Sequence, residues 1–287
     1  MADNTRKRRK PLKVIFKRIA LLHAPLLIML VFTLFPLYWT IVTSLKHEGD
    51  IIRMPIEYLP NPATFDNFVR AWRNVGFSVF FQNSLFIAII SMVLVVFFSV
   101  FTGYALSRFK FRGKNLFMFM LLSTQFLPAA MLIVPLFIIF REMGLLNNPL
   151  SLIIINTTMQ LSFNSVLMRG FISGIPVELE EDATVDGCSR VGAIFRVVMP
   201  LLLPGLVAVG AFSFVGVWNE FLFAFMFMSS NARFTLPVGL RTIIGEFSVN
   251  YGTLAAGSII ALVPALLMFM YLQKYLVTGL SAGSVKG

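Results

Sequence analysis

Residues 178–204 read Glu-Leu-Glu-Glu-Asp-Ala-Thr-Val-Asp-Gly-Cys-Ser-Arg-Val-Gly-Ala-Ile-Phe-Arg-Val-Val-Met-Pro-Leu-Leu-Leu-Pro. Four acids, Glu178, Glu180, Glu181 and Asp182, fall within five residues. Gly187 ends the short helical pattern that follows, and a second amphipathic segment runs into Pro200 and Pro204. Long apolar runs flank the whole stretch. A lipid-embedded chain does not need such a segment to hold itself together. It reads as a docking surface for a soluble partner.

The 287 residues are 57% hydrophobic and 13% charged, with a mean hydropathy of +0.83. A soluble domain is roughly 45–50% apolar and about 25% charged, so this is a polytopic membrane protein. Crossing about 30 Å of hydrocarbon takes roughly 20 apolar residues. Six runs qualify, at 20–44, 83–106, 116–140, 150–171, 201–228 and 254–273. Each must satisfy its own backbone in lipid, so each is a helix and the fold is all-α. The first run is long and lacks a small-x-small cleavage site, which makes it an uncleaved anchor.

Basic residues set the orientation. The amino-terminal arm carries eight, from Arg6 to Arg18, and the segment after the second span carries Arg108, Lys110, Arg112 and Lys114. The fourth-to-fifth loop adds Arg169, Arg190 and Arg196, and the tail Lys274 and Lys286. That places seventeen of the 24 basic residues on one side, the cytoplasmic one, together with both termini. The net charge of +11 is therefore matched to anionic membrane lipid and not to nucleic acid. The single cysteine, Cys188, allows no intrachain disulfide and is expected as a reduced cytoplasmic thiol. The chain divides into a basic arm (1–19), one transmembrane domain (20–279) whose cytoplasmic loop spans 173–199, and a short cytoplasmic tail (280–287).

Local chemistry shapes the loop. Pro176 suits the first turn of a helix, where no N–H is needed. The acids then sit where a helix amino terminus favours negative charge, and Gly187 supplies a C-cap and a sharp turn. Ser189 is placed to cap a second helix with an apolar stripe of Ile194, Phe195 and Val198. Prolines at 25, 36, 128, 135, 204 and 264 are expected to bend the spans that contain them. On the outer side, residues 65–72 form an amphipathic stretch, expected as a short helix along the membrane surface or capping the bundle.

The loop resembles the EAA loop of ATP-binding-cassette importer permeases: Glu181, Asp182, Ala183, Asp186 and Gly187 stand in the motif, followed by Met199-Pro200. Asp182 occupies the place of the motif's first alanine. The resemblance extends through residues 103–114, Trp218-Asn219-Glu220-Phe221, 235–240 and the terminal 279–287, which are similar to the carbohydrate branch and its six-span, maltose-type second permease. It implies a type I importer permease fold in the cytoplasmic (inner) membrane and import of sugars or oligosaccharides. It also implies four partners: a homologous permease in a heterodimer, two copies of a cytoplasmic ATPase, and an external solute-binding protein. Glu178, Glu181, Asp182, Ala183, Asp186, Gly187, Ser189 and Pro200 would then form the ATPase-coupling loop. The chain has no Gly-x-x-x-x-Gly-Lys-Ser/Thr sequence, so ATP and Mg are expected on the ATPase subunits and no cofactor on this chain.

Glu220 is the one carboxylate placed inside a span, where a charge must face the bundle interior, water or a partner. With Trp218 and Asn219 it is a candidate for lining the sugar pathway; the competing role is that of helix–helix glue. Gln125, Asn156 and Gln160 are further candidates on the same logic. His23 and His47 have no partner at metal-ligand spacing, so no metal is assigned, and no nucleophile–base pair suggests an enzyme. The alternative transport class, an ion-gradient-driven secondary transporter or channel, calls for several intramembrane ionisable groups.

Overall fold

The fold is described from a computed structural model covering residues 12–245 and 248–283. Helix α1 (Leu12–Ser44) is followed by a turn, α2 (Glu48–Ile51), and by α3 (Asp66–Val69), which continues as a wider helical turn to Val75. The second span, α4, runs Phe77–Arg108. Next come α5 (Lys114–Ser123), α6 (Ala129–Glu142) and α7 (Pro149–Ser173). The loop after α7 holds α8 (Glu178–Val185), α9 (Arg190–Ala193) and α10 (Met199–Leu201). Helices α11 (Leu203–Trp218), α12 (Leu222–Phe227), α13 (Leu236–Ile243) and α14 (Tyr251–Gly283) complete the chain. Four helices are long and apolar enough to cross a membrane, and six segments are when each bent pair counts as one. The arm before residue 12 and the last four residues of the tail lie outside the described residues.

Two expected spans are not continuous helices. The run 116–140 breaks at Leu127–Pro128, and its two halves meet at 95°. Pro128 lacks a donor and forces Leu127 into an extended conformation (φ −77°, ψ 117°), so α6 starts afresh. The run 201–228 holds its helix only to Trp218; the chain loosens at Asn219–Phe221 before the short α12. Pro25, Pro36, Pro135 and Pro264 instead lie inside helices.

The core forms where α4 and α7 run side by side, with α11 across both and α14 against α11 and α1. Small residues allow this closeness. A Cβ on Gly103 would lie 2.9 Å from the backbone nitrogen of Arg169, so α4 and α7 touch backbone to backbone there. Near the amino-terminal end of α4, α3 caps the bundle: buried Asn67 donates to the carbonyls of Ser44 (2.9 Å) and Lys46 (2.7 Å). Its neighbours Phe65, Val69 and Trp72 stay exposed. The Glu48 carboxylate accepts from the backbone N–H groups of Tyr251 (2.7 Å) and Gly252 (2.9 Å), closing the start of α14.

Replacing Gly103 with leucine should drive the helices apart at a point where only backbone can give. Overpacking of this kind costs about 1–3 kcal/mol or more. We expect Gly103→Leu to lose the monodisperse folded peak in size-exclusion chromatography, while Gly170→Ala, at an exposed helical position with open space around it, keeps it.

Candidate functional site

The loop between α7 and α11 is closed by its own hydrogen bonds. Helix α8 starts at Glu178 with Val177 as N-cap, so Pro176 stands just ahead of the helix and not in its first turn. At the other end Gly187 takes φ 87°, the Cys188 N–H reaches the Ala183 carbonyl (2.9 Å), and the Gly187 N–H reaches that of Thr184 (3.1 Å). This is a Schellman turn, and it needs a residue free to adopt positive φ. Two residues on, the Ser189 hydroxyl accepts from the Gly192 N–H at 3.1 Å and caps α9. A wider turn over Ile194–Val198 leads into α10, which contains Pro200, and this elbow meets α11 at 78°. Ile194 and Val198 are buried, but Phe195, expected on the same stripe, is 51% exposed because the wider turn rotates it off that face.

One acid is turned inward. Glu180 is buried; its carboxylate pairs with the Arg108 guanidinium at 2.7 Å and accepts from the Tyr104 hydroxyl at 2.7 Å. Arg108 also donates to the carbonyl of Ile175 (2.8 Å), so it grips the loop at two points. Tyr104 and Arg108 are one helical turn apart at the end of α4, which is how both reach a single carboxylate. No local signal marks this strut, since Glu180 sits among identical-looking neighbours and its partners lie 72 and 76 residues away. With Glu180 engaged, Glu178, Glu181, Asp182, Asp186, Gly187 and Ser189 remain exposed and Ala183 half-buried. The exposed surface of the loop is therefore acidic, with Leu179 and Val185 between the charges.

The intramembrane candidates divide. Glu220 accepts from the N–H groups of Phe223 (2.7 Å) and Ala224 (3.0 Å), one on each oxygen, and so caps α12 at the break in the fifth span. Trp218 is buried, stacked on Phe214 with its centroid 5.6 Å away, and its indole N–H donates to the Ala261 carbonyl of α14 (2.9 Å). Asn156 is buried and its amide donates to Leu152 one turn back. Asn219, beside the break, and Gln125, at the bend of the third span, are exposed. Gln125 reaches the Met159 carbonyl of α7 at 3.4 Å, which sets the bend against the middle of that helix. Among the described residues no group of three or more His, Cys, Asp or Glu could hold a metal ion.

Residues 95–281 match the family of binding-protein-dependent transport system inner membrane components. The chain is 36% identical over 260 residues to the sulfoquinovosyl glycerol transport system permease protein SmoH of Agrobacterium fabrum, covering 91% of each chain. It is 34% identical to the diacetylchitobiose uptake system permease protein DasC of Streptomyces coelicolor, over 88% of this chain and 92% of that one. Its fold is that of a chain in the crystal structure of a bacterial ABC transporter involved in the import of the acidic polysaccharide alginate. The TM-score there is 0.80 at 22% identity, over 94% of this chain and 99% of the other.

Two substitutions test the geometry. Breaking a buried ion pair costs about 3–5 kcal/mol, so Glu180→Ala should release α8 from α4 and raise deuterium uptake across residues 175–189 well above that of the spans. Unsatisfied buried N–H groups cost about 1–3 kcal/mol each, so Glu220→Ala should lower thermal stability more than Glu220→Gln, which keeps one acceptor.

Proposed function

The chain belongs to the family of binding-protein-dependent transport system inner membrane components, and on that premise we propose that it is a permease subunit of an ATP-driven importer of sugars or oligosaccharides. The sugar class is supported by the relatives, whose names carry a sulfosugar glycoside, a chitin disaccharide and arabinooligosaccharides. In this reading the partners are a second, homologous permease, two ATPase subunits that bind ATP and Mg, and an external solute-binding protein. The chain carries no catalytic residue; its work is mechanical.

The observation that carries the proposal is the closed, doubly anchored loop. Its acidic surface, with Glu178, Glu181, Asp182 and Asp186 outward, is offered to a groove on one ATPase. When the ATPase dimer closes on ATP, the displacement enters at α8. The Glu180–Arg108 strut passes it to α4, and the elbow passes it to α11 through an unbroken run of residues. The Schellman turn and the Ser189 cap remove the slack that a flexible linker would have absorbed. The helices then exchange an inward-facing cavity for an outward-facing one.

For the sugar pathway we assign contact to Asn219 and Gln125, the two exposed polar side chains beside the breaks in the fifth and third spans. Trp218, Glu220 and Asn156 take a supporting role: Trp218 and Asn156 are buried, and both carboxylate oxygens of Glu220 are engaged in capping α12.

A charge-assisted contact contributes about 1.5–3 kcal/mol, so reversing one should lower the docked population about tenfold or more. Glu181→Lys is expected to abolish stimulation of the ATPase by sugar-loaded binding protein, and Gly187→Pro to stop uptake by opening the turn. Normal stimulated hydrolysis and normal uptake in both variants would refute the coupling role. A collapse of uptake on adding a protonophore at constant ATP would favour a gradient-driven mechanism instead.

A further inference from the structure

Beneath the elbow lies a cavity of about 480 Å³ that the transport reading does not use. Its walls come from α4, α11, α14 and the elbow itself, including Phe97, Val207, Gly210 and Met268, with Phe195 and Met199 overhead. No charged side chain lines it. The α4 residues that face it (Val93, Phe97, Phe101) are on a different flank from Ser91, Ser99 and Gly103, which are buried. Gly103 is the one against α7. The broken third span, with its exposed polar bend, packs instead on α7. The cavity thus opens on the side of α4 turned away from the bend, among apolar helix surfaces.

Phe195 explains why the cavity exists. The wider turn at Ile194–Val198 swings it off the buried stripe and over the cavity mouth. The next residue, Arg196, is exposed; its guanidinium lies 3.9 Å from the Cys188 sulfur, and no carboxylate among the described residues pairs with it. The elbow meets α11 at 78°, and along it the residue at the apolar mouth, Phe195, is followed directly by an exposed cation, the pair of surfaces that a lipid's tail and head require.

We propose that this cavity is a binding site for an acyl chain of an anionic membrane phospholipid, whose phosphate meets Arg196. A chain seated there touches α4, α11 and the elbow together, so it tunes how freely the elbow moves against the spans. That consequence rests on the coupling role assigned to the loop; the binding site does not.

The test uses the whole transporter in vesicles of phosphatidylcholine with phosphatidylglycerol, each supplied in turn with a diazirine in one acyl chain. Crosslinked peptides are then read by mass spectrometry. Label is expected on 195–199 and 207–211, stronger for phosphatidylglycerol. Arg196→Gln should cut that preference about fivefold, the factor one basic residue contributes at an anionic surface. A Cβ on Gly210 would make ordinary contact with Met92 and Val96 at 3.7 Å, so Gly210→Leu grows into the cavity and should remove the label from both peptides. Val207→Phe, from the facing wall, is the second filling variant if the first fails to fold. Label that ignores both filling variants, no label on these peptides, or occupation of the cavity by a helix of the second permease in a residue-specific protein crosslink would overturn the proposal. None of these outcomes depends on ATP hydrolysis or uptake, so the coupling role can fail while the lipid site stands.

Discussion

A peptide N–H that faces hydrocarbon has no water to turn to, and this fold is organised around that constraint. At four helix starts a side chain has been brought to the first turn. Glu48 closes α14 from a loop some 200 residues earlier in the chain. Glu220 closes α12 inside the fifth span, Asn148 accepts from Leu150 at the start of α7, and Ser189 closes α9. Breaking a span is costly in lipid; at Asn219 the Glu220 carboxylate offsets that cost, whereas α6 restarts after Pro128 without a side-chain cap. The breaks in turn give exposed polar groups such as Gln125 and Asn219 a place beside an otherwise apolar wall.

The same economy governs the loop between α7 and α11. An acidic helix on two flexible strands would transmit little force. Here both ends of α8 are fixed, one through the carboxylate of Glu180 and the other through the turn at Gly187. Both fixings are short-range and directional. Because Arg108 also holds the Ile175 carbonyl, the segment between α7 and α8 cannot swing without disturbing the end of α4. The loop is therefore tied to the ends of two spans.

How much of this was legible in the sequence follows from the range of each interaction. Gly187 and Ser189 act on residues within a few positions of themselves, and the turn and cap expected from them are present. The lengths and apolar character of α1, α4, α7 and α14 were likewise local properties. The break in the third span was announced by Pro128, but its 95° angle depends on Gln125 resting on α7 and on α6 packing against α12. Glu180 could not be told from Glu181 because the difference between them is a pair of side chains at the far end of another helix. Phe195 was misplaced for a subtler reason: a helical wheel assumes 3.6 residues per turn, and the elbow does not keep that pitch. Glu220 was visible as an expensive charge, but its partners were invisible until the helix was seen to stop.

Helix α1 has 6% of its apolar window buried, and the chief neighbour it has within the chain is α14. In order of synthesis about 200 residues separate the end of α1 from the start of α14. The earlier helix must therefore sit in the bilayer with few partners of its own chain until the later one has been made. A product cut short before α14 would leave α1 without its chief intrachain contact.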